Sequence, residues 1–145
     1  MKKITYFDEE YYLVRSSSLI FVPALYGYLS GGNMMAAKYN ALSCFISTAF
    51  WVRPYYNMRR TIDLYFQPVF ATSMFVLGNY FSDSFIPLLI GNSLFGCGLF
   101  LYHRSCWEYK RKNRFWFLYH CAFHSCMSSS CFIVQWILRE KKRGS

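Results

Sequence analysis

The sequence predicts an all-α fold: a polytopic transmembrane helical bundle of about five spans, four long and one marginal. Three observations predict it. Of 145 residues, 54% are hydrophobic, 22% aromatic and only 16% charged. The charges are segregated, because between Arg60 and Arg104 only Asp63 and Asp83 interrupt an otherwise uncharged stretch. A soluble domain needs charge of both signs spread around its surface. The connections are short as well (GGNMMA, RPYYNMRR, FSD and the longer HRSCWEYKRKNR), and short connections force neighbouring helices antiparallel. The modest mean hydropathy of +0.14 reflects dilution by the termini and one basic loop.

The whole chain, 1–145, reads as one membrane domain with apolar runs at about 17–32, 37–53, 61–80, 84–102 and 115–138. The first is short, contains Pro23 and ends in Gly31-Gly32, so it is the marginal span. Pro54 is expected to stop the second helix, and Pro68 to kink the third. About 20 residues at 1.5 Å each cover the hydrocarbon thickness, and the later runs meet that length. The N-terminal MKKITYFDEEYY has no apolar stretch of its own and is not expected to be a signal peptide. Its DEEYYLVR portion reads as an interfacial helix start or a docking peptide. Six cysteines are scattered through the apolar runs with no CxxC pair. That pattern suits reduced packing residues better than a disulfide framework.

Lys and Arg set the expected orientation. With five spans, Lys2, Lys3, Arg15, Arg53, Arg59, Arg60, Arg104, Lys110, Arg111, Lys112 and Arg114 fall on one side. Lys38, Arg139, Lys141, Lys142 and Arg143 fall on the other, which makes eleven against five. The N-terminus and basic loops are therefore expected on the cytoplasmic or equivalent side. The basic tail opposes that rule: either the rule is overridden there or the last helix does not fully cross. A net charge of +9 clustered at the ends of apolar runs suits anionic headgroups, so no nucleic-acid partner is expected.

The polar residues inside the runs fall at a similar depth. Asp63 lies one turn beyond Arg60, and Ser47 stands a similar distance from Arg53. His120 is about 9 Å inside the last run, and His103 closes the fourth. On the last helix Phe117, His120, Cys121, His124, Ser128, Cys131 and Gln135 follow the three-and-four spacing of one inward stripe, leaving Trp116, Phe123, Met127 and Ile137 for lipid or a neighbour. Imidazoles at i and i+4 can reach one metal ion, so zinc held by His120, His124 and His103 is one reading, with Asp63 orienting its water and Ser47 beside it. The other is a polar network that joins helices, with Asp63 neutralised by Arg59, Arg60 or a histidine. Around Trp51, Pro54, Tyr55 and Tyr56, rings at the membrane interface would complete a helix-loop-helix corner without any metal.

The segments SCFISTAFW, RRTIDLYF and LYHCAFH resemble the ceramidase-like membrane superfamily, which includes the alkaline ceramidases and the adiponectin and progestin receptors. The resemblance implies an intramembrane hydrolase of lipid amides, with zinc held by three histidines. Ser47, Asp63, His120 and His124 match its motif positions, whereas Trp51 stands where the first histidine belongs. That superfamily has seven helices, against five expected here. The W-x-x-P…RR-x-x-D and H-x-x-F-H patterns also resemble small multi-pass membrane proteins of large eukaryotic DNA viruses.

Two functions follow as expectations. The leading one is a structural or assembly role as a subunit of a larger membrane-associated complex, of a virion membrane or an organelle. Its partners would be the lipid bilayer and other membrane or capsid-type subunits, because five short helices bury limited surface alone. The alternative is a zinc-dependent intramembrane hydrolase of lipid amides or esters, with Asp63 and Ser47 as catalytic residues. A transporter is disfavoured by the one-sided polar cluster and the lack of a repeat.

Overall fold

The computed structural model describes residues 4–5 and 9–144. It contains α1 (Glu10–Ser18), α2 (Phe21–Leu29), α3 (Met34–Val52), α4 (Met58–Phe81), α5 (Phe85–Lys110) and α6 (Trp116–Gly144). No strand occurs among the described residues. Two helices, α5 and α6, are long and apolar enough to cross a membrane. By the same measure α3 and α4 have the length but are more polar.

The first apolar run differs most from expectation. The helix begins at Glu10 rather than near residue 17, and it is interrupted at Leu19–Ile20. Local chemistry explains the break. The hydroxyls of Ser16 and Ser17 donate to the Leu13 carbonyl at 3.1 and 2.7 Å, and Ser18 donates to that of Arg15 at 2.6 Å. Such back-bonding competes with the helical ladder and bends it. Pro23 has no N–H to offer the Leu19 carbonyl, and Ser128 Oγ of α6 donates to that oxygen instead, at 2.6 Å. The break is thereby stitched to the centre of the bundle. Gly31 then adopts φ +67°, a conformation that suits glycine. Asn33 caps α3 by accepting from the Ala36 N–H at 3.0 Å.

At the next corner α3 stops before Pro54, and Asn57 caps α4 by accepting from the Arg59 and Arg60 N–H groups at 3.1 and 3.4 Å. Pro68 lies inside α4 without ending it. α6 is the central helix: it pairs along its length with α5 and touches α1, α2, α3 and α4. The close approaches use glycine, since a Cβ on Gly78 of α4 would stand 2.9 Å from Val134 Cγ2 and one on Gly98 of α5 2.9 Å from Met127 Sδ. By contrast α4 and α5 touch each other little.

Being central, α6 is buried on a broader front than one stripe. His120, His124, Ser128, Cys131 and Gln135 face inward as expected, but Trp116, Met127 and Ile137 are buried too, while Phe117 and Cys121 are only half-buried. The helix also runs unbroken to Gly144, about 43 Å at 1.5 Å per residue. Its basic tail therefore lies at the end opposite the α5–α6 turn. There Lys141 pairs with Asp83 at 2.6 Å, and Lys142 donates to the Gly31 carbonyl at 2.9 Å.

Candidate functional site

Where α4 and α5 stand apart, the bundle forms a half-open cavity of about 420 Å³. Its walls come from α3 (Ser47, Phe50, Trp51), α4 (Arg60, Asp63, Gln67), α5 (Tyr102, Ser105, Lys110) and α6 (Trp116, His120, His124). Ser47, Asp63 and His120, three of the four residues expected at one depth, line this space, together with His124 one turn along from His120. His103 does not. Its side chain is exposed, about 200° around α5 from Ser105, which faces the bundle. The expected third imidazole is therefore on the wrong face.

Each buried imidazole engages a serine through Nδ1. His120 Nδ1 lies 3.2 Å from Ser105 Oγ, and His124 Nδ1 lies 2.9 Å from Ser16 Oγ and 3.5 Å from that of Ser17. Ser47 Oγ donates to Ser17 Oγ at 3.3 Å, which links α3 to the same chain. The two imidazole rings meet edge to face, with centroids 4.8 Å apart. Asp63 accepts from Gln67 Nε2 at 3.1 Å. The Gln67 amide also donates to the Ser43 carbonyl at 3.1 Å and accepts from Ser43 Oγ at 2.7 Å.

The cations expected to neutralise Asp63 do otherwise. Among the described residues Asp63 makes no ion pair. Arg60 lies over the Tyr56 ring at 4.5 Å, and Arg59 Nη1 donates to the Ala49 carbonyl at 3.4 Å. Trp51 is not at an interface either. It is 5% exposed and packs edge-on against His120, with ring centroids 5.1 Å apart. Its buried Nε1 has no partner among the described residues. Tyr56 does remain exposed, as the corner requires.

Sequence reasoning missed Gln67, Ser43, Ser16, Ser17 and Ser105. Gln67 was the most legible, standing one helical turn beyond Asp63 in an otherwise apolar run. Ser105 lay outside the expected fourth span, because α5 continues to Lys110.

Zinc does not fit these residues. Among the described residues no three His, Cys, Asp or Glu side chains gather in a way that would hold a metal ion. Two imidazoles are present, and beside them stands an indole, which cannot ligate. The arrangement can hold protons and hydrogen bonds in a largely apolar space, and it offers donors from four helices. No family model, curated protein or solved structure matches the chain.

Proposed function

We propose that this chain is an integral membrane protein of about five crossings, with α1 and α2 together forming one of them, and that it is a structural subunit of a larger membrane assembly. The N-terminus and basic loops would face the cytoplasm or its equivalent. The observation that carries this reading is the sorting of side chains. The polar groups inside the runs are mostly paired with one another, while large apolar side chains point outward on every peripheral helix. Leu42 and Phe45 of α3, Tyr65 and Val76 of α4, and Phe85 and Phe100 of α5 are all exposed. Because α4 and α5 cover each other little, both keep broad apolar faces for lipid or a neighbouring subunit. Alkaline carbonate should leave the protein in the membrane pellet, and mild detergent should release it with other subunits. A carbonate-extractable protein, or a strict monomer with nothing copurifying, would overturn the reading.

The cavity favours a second reading, an intramembrane hydrolase of lipid amides or esters, since Ser47, Asp63, His120 and His124 all line it. Zinc dependence would need a third ligand. Metal analysis of protein purified without chelator should therefore find under about a tenth of an equivalent of zinc, and one equivalent would revive the enzyme. Trp51→His offers a sharper test, because a third imidazole would then stand beside His120. Zinc should rise toward one per chain in that variant, and no rise would mean that the two histidines are not disposed for a metal at all.

A further inference from the structure

The cavity has a chemical polarity of its own. Arg60 at the start of α4 and Lys110 at the end of α5 line its loop-side end, on the two helices that stand apart. Neither makes an ion pair among the described residues. Of the acids nearby, Glu108 is held by Arg104 at 2.7 Å and by Asn113 at 2.7 Å, and Asp63, which lines the cavity one turn further in, accepts from Gln67. Deeper in, Trp51 is 5% exposed, and its buried N–H has no acceptor among the described residues. A buried donor without a partner is costly, so it marks a place where an acceptor is stabilising. Beyond it the walls are apolar, with Phe70, Leu99, Met127 and Cys131. The volume of about 420 Å³ lies within the range of small-molecule sites.

We propose that the cavity binds a phosphate-headed, single-chain amphiphile. The phosphate lies between Arg60 and Lys110, the ester carbonyl accepts from Trp51 Nε1, and the acyl chain follows the apolar wall. The proposal rests on the membrane reading above, which supplies lipid at the gap between α4 and α5, and it requires no catalysis.

The full chain in detergent, titrated with oleoyl lysophosphatidic acid and separately with oleoyl lysophosphatidylcholine and followed by native mass spectrometry, tests it. The phosphate monoester should bind about tenfold more tightly than the zwitterion. Arg60→Gln with Lys110→Gln should abolish that preference. Trp51→Phe, which keeps a ring but loses the N–H, should weaken both lipids. Arg111→Gln with Lys112→Gln, which alters the turn outside the cavity, should leave the preference unchanged. Equal binding of the two lipids overturns the proposal. So does an equal loss in the turn variant, which would mean attraction to a diffuse basic surface. Carbonate extraction of the membranes from which each sample is purified separates failure here from failure of the membrane reading.

Discussion

The two halves of the bundle bury polar side chains under opposite rules. Toward the α3–α4 corner, the imidazoles, Gln67 and five serines of α1, α3 and α5 are hydrogen-bonded around an open space. Toward the tail of α6 the helices close on each other. A Cβ on Gly27 would stand 2.6 Å from Gln135 Oε1, and one on Gly78 2.9 Å from Val134 Cγ2. In that tight half Gln135 and Asn40 are both 0% exposed. Both amide atoms of Gln135 and Oδ1 of Asn40 have no partner among the described residues. One half uses its polar groups to keep a cavity shaped, whereas the other relies on backbone proximity and buries the Gln135 amide without a partner among the described residues, although Asn40 Nδ2 donates to the Ala36 carbonyl at 2.8 Å.

Substituting a glycine of the tight half should have the largest effect. Gly78→Leu must displace Val134 and the α4–α6 contact, and overpacking of this kind costs about 3 kcal/mol. Thermal unfolding in detergent should register it directly. Gly96→Leu on α5 is the matched control, because a Cβ there meets nothing within 4 Å. An equal loss at the two positions would break the claim that closeness to α6 distinguishes this half. In the open half Gln67→Leu should cost about 2 kcal/mol, since it strands Ser43 and leaves Asp63 without its donor. A neutral outcome would mean that the network around the cavity does not hold α3 and α4 together.

How much of this could be read from the sequence depended on which signal carried it. The existence of the long helices followed from apolar runs, and their inner boundaries fell within a few residues of Met34–Val52 and Met58–Phe81. The outer ends did not, because α5 and α6 continue past their apolar portions into basic segments, where helix propensity rather than hydropathy decides. The break at Leu19–Ile20 depends on three serines choosing carbonyls of their own helix and on Ser128 accommodating a proline across the bundle, and the second is a tertiary fact. At the site, depth along each helix brought Ser47, Asp63 and His120 together, because rise per residue is a reliable ruler, and the i,i+4 spacing added His124. His103 failed because depth says nothing of azimuth, and the face of α5 toward the centre is set by Gly91, Gly98 and Ser105 packing on α6. Trp51 failed for a related reason. An indole at a helix end reads as interfacial, yet here the corner turns it inward against His120.

The smallest expected effect is the most direct check on the contrast between the halves. Gln135→Met keeps the length and flexibility of the side chain and removes two polar atoms that have no partner among the described residues. The ordinary cost of burying an unsatisfied amide is then relieved, so the variant should gain about 1 kcal/mol, read as a higher unfolding temperature in the same detergent. The matching change in the open half, His124→Met, should move the other way, because it releases the hydroxyl of Ser16 from its imidazole and opens the chain that reaches Ser47. Opposite signs at two buried positions three turns apart on one helix would mean that α6 is a shared axis serving two different kinds of packing. If Gln135→Met is destabilising instead, the amide has a partner after all, and the tail half is as much a built polar site as the cavity above it.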